Sequence, residues 1–175
     1  MAIYTIGHST RPAAELVGLL RGHGVRTLVD VRAIPRSRHN PQFNTDALAA
    51  TLAAAGIEYV HMPSLGGLRH PKPDSINLGW RNVSFRGYAD YMQTPAFAAA
   101  IDELIAIARS QPTAIMCAEA VPWRCHRSLI ADALLARGVP TAEIVGATRA
   151  TPHALTPFTR VAGGAVTYPA EGTLL

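Results

Sequence analysis

The sequence is poor in the residues that mark several common protein classes. Its 175 residues include only two cysteines, too few for the disulfide framework of a small secreted domain. No apolar run reaches the roughly 18 residues that a membrane-spanning helix needs. The first residues lack the basic start and long apolar segment of a signal peptide. We therefore expect no membrane association and a cytoplasmic location.

Lysine is also scarce, since Lys72 is the only one and arginine supplies nearly all of the positive charge. The formal net charge is +4 and the isoelectric point is near 9.5, which is compatible with a phosphate-bearing or nucleic-acid partner. No block of about five or six like charges occurs, so a basic tail is not predicted.

Apolar segments alternate between strand and helix character along the chain. Strands are predicted at residues 3–6, 27–31, 59–62, 114–116 and 143–145, with helical patterns between them. This alternation predicts a single α/β domain with three layers and a mostly parallel sheet of about five strands, in a Rossmann-like or rhodanese-like arrangement. The core is expected over residues 1–146. The tail, 147–175, carries only a weak signal for an edge strand at 165–168.

Unusual polar clusters follow four of the predicted strands, at residues 7–10, 32–39, 64–69 and 117–119. Ligands of open parallel sheets bind beyond the carboxyl ends of the strands. We therefore expect the four clusters to line one cleft. Residues 63–84 are rich in proline and glycine and form a long predicted loop, of a length that is usually functional or mobile.

Both cysteines lie in the last of these regions. An apolar strand stops at Cys117, a short polar loop follows, and Cys125-His126-Arg127 opens a predicted helix. A helix N-terminus favours anions and thiolates, so Cys125 is the better candidate nucleophile, whereas Cys117 in isolation is typical of a small core residue. We expect both thiols to be reduced and close enough to share one site. His126 is either a proton carrier, a metal ligand or a partly buried ring.

The other clusters supply candidates for proton transfer and anion binding. Asp30 inside an apolar strand is expected to pair with an arginine such as Arg32, or to act as a base. The predicted catalytic residues are Cys125, Cys117, His126, His8, Glu119 and Asp30. The predicted substrate-binding residues are Ser9, Arg32, Ser37, Arg38, Gly66, Gly67 and Arg127. No metal ligand is assigned, because a Cys-x7-Cys pair is not a zinc spacing.

These motifs resemble those of DUF488, a bacterial and archaeal family with a domain of unknown function. The resemblance covers about residues 1–146 and rests on a set of short motifs in a fixed order: Thr5-Ile-Gly-His-Ser9, Val29-Asp-Val-Arg32 with Pro35 and Ser37-Arg38, Leu65-Gly-Gly67, Cys117-Ala-Glu119 and Cys125-His-Arg127. It implies an α/β domain and no particular activity. The chain is more loosely similar to rhodanese-like sulfurtransferases, although its loop after Cys117 is longer and contains Pro122 and Trp123.

Three functions remain open from the sequence. The first is an enzyme that acts on an anionic, phosphate-bearing or nucleotide-like substrate. The second is a non-catalytic module that binds a nucleotide or nucleic acid, with stacking surfaces from Trp80, Phe85, Tyr88 and Tyr91. The third is a metal or redox protein that uses both cysteines. The sequence predicts neither a cofactor nor an oligomeric state.

Overall fold

Strands and helices alternate along residues 1–170, the part of the chain that the computed structural model describes. The strands are β1 (Ile3–Gly7), β2 (Thr27–Asp30), β3 (Glu58–His61), β4 (Thr113–Cys117), β5 (Thr141–Ile144), β6 (Ala150–Pro152), β7 (Arg160–Ala162) and β8 (Ala165–Thr167). The helices are α1 (Ala13–Gly22), α2 (Thr45–Ala54), α3 (Val83–Met92), α4 (Pro95–Ser110) and α5 (Arg127–Ala136). None of these helices has the length and apolar character needed to cross a membrane.

The central sheet has six strands in the order β3-β2-β4-β1-β5-β6. Its first five strands are parallel, and β6 runs antiparallel to β5. The predicted mostly parallel α/β sheet is therefore confirmed. The sixth strand, β6, lies beyond residue 146 in the tail. The sequence pattern predicted no strand at residues 150–152.

Two apolar layers enclose the sheet, as expected for a three-layer domain. Along β4, Ala114 and Met116 pack towards α1 and α2, whereas Ile115 and Cys117 pack towards α3, α4 and α5. All residues of β4 are buried. This burial on both faces explains why the strand is a continuous apolar run rather than an alternating one.

Local sequence signals determine several helix boundaries. The Thr94 hydroxyl accepts a hydrogen bond from the backbone N–H of Phe97 at 3.3 Å, and Pro95 occupies the first turn of α4. This is the usual chemistry of a helix start. Helix α5 ends just before Gly138, whose φ of +78° is readily adopted only by glycine.

After β6, the tail packs on α5 and does not extend the central sheet further. The predicted edge strand at 165–168 is present as β8, but it pairs with β7 in a separate two-stranded ladder. The fully buried carboxylate of Asp132 on α5 accepts hydrogen bonds from the Tyr168 hydroxyl at 2.7 Å and from the Thr156 hydroxyl at 2.8 Å. The last five tail residues, 171–175, lie outside the described part of the chain.

The long predicted loop is held in place by one buried carboxylate. Asp90 on α3 accepts hydrogen bonds from the Ser75 hydroxyl at 2.6 Å, the Asn77 amide at 2.7 Å and the Lys72 backbone N–H at 2.8 Å. Asn77 in turn accepts a bond from the backbone N–H of Tyr168 at 2.9 Å. The loop is thus tied both to α3 and to the tail.

Replacing Asp90 by alanine should lower the free energy of unfolding by about 3 kcal/mol, because three polar groups of the loop lose their acceptor. Denaturant unfolding at neutral pH would measure this loss. Asp74→Ala is the matched control, since Asp74 is exposed in the same loop and its replacement should change stability by less than about 0.5 kcal/mol. Equal effects of the two substitutions would contradict the anchoring role.

The contribution of Asp90 should also depend on pH. Burial alone would raise its pKa, but the hydrogen bonds from Ser75, Asn77 and Lys72 outweigh burial and hold the pKa below its ordinary value. A lowered pKa stabilises the fold above the unfolded-state value of about 4, and the contribution is lost as the pH falls further. The stability difference between the parent protein and Asp90→Ala should therefore be constant from neutral pH to about pH 5 and shrink below about pH 4.

Candidate functional site

A cleft of about 680 Å³ opens at the carboxyl ends of the central strands. The register places Gly7 of β1 beside Cys117 of β4, and Asp30 of β2 beside Met116. Residues that follow β1, β2, β3 and β4 all reach the cleft, together with side chains from α3. The candidate polar and reactive residues in its lining are His8, Ser9, Arg32, Arg36, Ser37, Gly67, Cys117, Glu119, Arg124, Cys125 and His126.

Asp30 and Arg32 form a buried ion pair behind one wall of the cleft. Arg32 donates from Nε and Nη2 to the two carboxylate oxygens of Asp30, at 2.9 and 2.7 Å, and from Nη2 to the Phe43 carbonyl at 2.7 Å. The Tyr59 hydroxyl donates to the same carboxylate at 2.6 Å. Asp30 is fully buried and does not line the cleft. The structure thus gives Asp30 the ion-pair position, away from the place that a base would occupy.

His8 is held as a neutral ring. Its Nδ1 donates to the Ser9 carbonyl at 2.7 Å, and its Nε2 lies 3.3 Å from Nη1 of Arg32 and therefore accepts. Burial lowers the pKa of His8, and the neighbouring Arg32 charge acts in the same direction. Because both ring nitrogens already have partners, the geometry favours a positioning role for His8 over the predicted proton transfer.

Two residues of the cleft lining have strained backbones. Ser9 has φ of +51° and Leu68 has φ of +61°, and they are the only non-glycine residues among the described ones with positive φ. Such a conformation costs on the order of 1–3 kcal/mol and occurs most often at functional sites. The strain at Ser9 turns its carbonyl towards the His8 ring.

The two cysteine sulfurs meet at the floor of the cleft. The sulfurs of Cys117 and Cys125 are in contact, with Cα atoms 7.4 Å apart, a separation wider than the roughly 4.4–6.8 Å of ordinary disulfides. They share one site, as expected, and the reduced state of the two thiols stays a prediction. Cys125 is slightly more exposed than Cys117, at 6% against 2%.

His126 lies beside the Cys125 sulfur in a defined orientation. Its Nε2 lies 2.8 Å from the Val31 carbonyl and donates to it, which leaves the Nδ1 lone pair 3.6 Å from Sγ of Cys125. Burial lowers the pKa of His126, and the Arg127 charge adds to this effect. The ring is therefore neutral near pH 7 and able to accept a proton at Nδ1. Gly67 packs against the ring, as a Cβ built at that position would lie 3.4 Å from Nδ1.

Arg127 is a buried clamp and does not line the cleft. Its side chain is fully buried, and it donates to the Glu143 carboxylate at 2.7 Å, the Ala120 carbonyl at 3.0 Å and Sγ of Cys117 at 2.6 Å. It also donates to the carbonyl of Glu119. These contacts occupy the guanidinium, so the predicted substrate contact from Arg127 has no counterpart in this geometry.

Glu119 has its side chain at the cleft while its backbone is held by Arg127. Its carboxylate is exposed and accepts a hydrogen bond from the Val121 N–H at 3.1 Å. Sequence reasoning expected this carboxylate to be held by an arginine or to face the reacting group. The arginine contact is made by the carbonyl oxygen instead, and the carboxylate faces the cleft.

Two arginines are exposed in the cleft lining and make no side-chain bond to any described residue: Arg36 and Arg124. Arg38, chosen from the sequence, is exposed but lies outside the lining, whereas Ser37 lies within it. The sequence pattern placed these arginines on two loops without indicating which would face the cleft. The cations available to a ligand are therefore largely different from the predicted set.

Gly66 is required by close packing. A Cβ at this position would lie 2.9 Å from both the Ala33 Cα and the Pro63 carbonyl oxygen. Gly66 is buried and does not line the cleft, so its predicted close backbone approach is to the protein itself.

The aromatic residues near the long loop are packed rather than displayed. The ring centroids of Trp80 and Phe85 lie 5.1 Å apart, and those of Tyr88 and Phe97 lie 6.0 Å apart. The Tyr88 and Tyr91 hydroxyls donate to backbone carbonyls at 2.8 and 2.6 Å. Of the four predicted stacking residues, Phe85 and Tyr88 line the cleft, whereas Trp80 and Tyr91 do not.

Within residues 1–170, no group of three or more histidine, cysteine, aspartate or glutamate side chains is arranged to hold a metal ion. The geometry therefore gives no support to the metal alternative. It leaves a site made of sulfur, imidazole and guanidinium groups.

A family model described as a domain of unknown function, DUF488, matches residues 12–134. The matched region includes Arg32, both cysteines, His126 and Arg127, whereas His8 and Ser9 precede it. Neither a curated protein nor a solved structure matches the chain.

Replacing Arg127 by alanine should destabilise the fold by about 3–5 kcal/mol, because Glu143 would keep a largely buried charge without its partner. Arg124→Ala, three residues away and exposed, should change stability by less than about 0.5 kcal/mol. Denaturant unfolding of both variants would measure the contrast. A stable Arg127→Ala protein would show that the guanidinium is not a structural clamp.

Proposed function

Because this chain belongs to the DUF488 family, whose description names no activity, we propose its function from the geometry of the cleft. The protein is an enzyme that uses Cys125 as a nucleophile on a small anionic substrate. The observation that carries this proposal is the contact between Sγ of Cys125 and Nδ1 of His126, at 3.6 Å.

The arrangement has the three parts of an activated nucleophile. The sulfur is the nucleophile, the neutral imidazole is the base, and the Val31 carbonyl orients the base through Nε2 at 2.8 Å. When Cys125 is reduced, its proton passes to Nδ1 and leaves a thiolate facing the cleft. The lowered pKa of His126 keeps the ring free to accept that proton at neutral pH.

The start of α5 supports the same role. The backbone N–H of Arg127, the first residue of this helix, points at Sγ of Cys125 with a distance of 3.5 Å. Backbone donors and the positive end of a ten-residue helix favour negative charge on the sulfur.

Anion binding rests on Arg36 and Arg124. The charges of Arg32 and Arg127 are compensated by Asp30 and Glu143, whereas these two exposed guanidiniums carry no such partner among the described residues. They stand on different loops of the cleft, after β2 and before α5. Both arginines line the same cleft as Cys125, so an anion held by them would share the cleft with the sulfur.

In reduced protein, we expect iodoacetamide to alkylate Cys125 faster than Cys117, as read by mass spectrometry of the digested chain. His126→Gln should slow the reaction of Cys125 by about tenfold or more, because the base is lost. His23→Gln, a histidine remote from the cysteines, is the control and should leave the rate unchanged. Equal inertness of both thiols in the native protein would refute a nucleophilic role for Cys125.

Calorimetric titration with phosphate, sulfate and nucleoside monophosphates should detect an anion that binds in the cleft. Arg36→Ala and Arg124→Ala should each weaken this binding by about tenfold, because each substitution removes one charge-assisted hydrogen bond. Arg26→Ala, an exposed arginine at the opposite end of the sheet, should bind as the parent does. If the two cleft variants also bind as the parent does, the anion site is elsewhere.

A further inference from the structure

We propose that Cys117 is the resolving thiol of Cys125 and that the cleft catalyses thiol–disulfide exchange with a small anionic disulfide. This inference rests on the proposed nucleophilic role of Cys125. It adds the chemical class of the substrate and a function for the second cysteine.

The two sulfurs are brought together by separate elements of the fold. Cys117 is the last residue of β4, and Cys125 precedes α5, so the pair bridges a strand end and a helix start. Cys117 is held in two ways: its Sγ accepts a hydrogen bond from Arg127, and its backbone is paired with Gly7 of β1. Cys117 is therefore a fixed partner for the sulfur of Cys125.

This geometry selects for sulfur chemistry. A nucleophile that forms an acyl or phosphoryl intermediate needs water next to the new bond, whereas the space next to Cys125 is taken by the sulfur of Cys117. A second thiol in that place reacts productively with a mixed disulfide, through attack on sulfur. Because Cys125 is the more exposed of the two, we assign it the first attack, on the substrate, and Cys117 the second attack, on the mixed disulfide.

The reaction balances in two steps. The Cys125 thiolate attacks one sulfur of the substrate disulfide, forms a mixed disulfide and releases one thiolate, which takes the proton from His126. The Cys117 sulfur then attacks Sγ of Cys125, which forms the Cys117–Cys125 disulfide and breaks the bond to the substrate sulfur. The proton of Cys117 passes to the departing thiolate, which leaves as the second substrate thiol. The protein dithiol is oxidised by two electrons, the substrate disulfide is reduced to two thiols, and a small dithiol or thiol reductant restores the protein.

Three arginines support the second step and the choice of substrate. Nη1 of Arg127, 2.6 Å from Sγ of Cys117, stabilises the thiolate that must form there, while Glu143 compensates the guanidinium. Arg36 and Arg124 at the cleft favour a disulfide with carboxylate groups over a cationic one. Glu119 also lines the cleft, and its exposed carboxylate offsets part of this positive charge.

A single-turnover experiment tests the proposal. Reduced protein, freed of reductant, is mixed with glutathione disulfide, and released thiol and protein mass are followed together. The parent protein should release two thiols per chain and end with the internal disulfide. Cys117→Ser should release one thiol and retain a glutathione adduct. Cys125→Ser should release no thiol over the time in which the parent protein reacts. A parent protein that keeps the adduct, or a Cys117→Ser variant that clears it as fast, would overturn the resolving role.

Charge selection is tested by comparing the rates at which the protein reacts with glutathione disulfide and with cystamine, a cationic disulfide. Each rate is first divided by the rate at which the same disulfide reacts with a small free thiol. We expect a preference of about tenfold for glutathione disulfide, lost in Arg36→Ala and kept in Arg26→Ala. An equal rate for cystamine would refute the anionic substrate. If Cys125 alkylates rapidly but no internal disulfide forms, this inference fails and the proposed function stands; if Cys125 is inert, both fail.

Discussion

The buried guanidinium of Arg127 is the interaction on which the cleft depends. It joins Glu143 of β5, two carbonyl groups of the loop after β4 and the sulfur of Cys117. A fully buried cation is tolerated only when its donors are satisfied. The charge therefore determines where β4 ends, how the following loop turns and where the floor of the cleft lies.

The arginines of this protein divide according to burial. Arg32 and Arg127 are buried, and a carboxylate compensates each of them, so their charges shape the walls. Arg36 and Arg124 remain in contact with solvent, where a charge has no desolvation penalty and is accessible to a ligand. This division explains how a chain with only a modest net charge presents a cationic cleft.

The reactive groups obtain their properties from the backbone around them. The Val31 carbonyl sets the tautomer of His126, the first N–H of α5 faces the Cys125 sulfur, and the strained Ser9 carbonyl accepts a hydrogen bond from His8 Nδ1. Each depends on a strand or helix that ends beside the cleft. These backbone contacts fix the orientation of each side chain in the cleft.

The sequence by itself determined the strand and helix order, the boundary at Thr94-Pro95 and the position of polar clusters after the strands. These features depend on residues close together in the sequence, and a local sequence pattern records them. Only the tertiary structure decided which arginines are buried, where β6 and β8 pair, and that Trp80 and Tyr91 are partly buried against the core. The partner of Arg127 is on β5, and β5 lies next to β1 in the sheet. Such pairings depend on contacts between distant segments, and a one-dimensional pattern does not contain them.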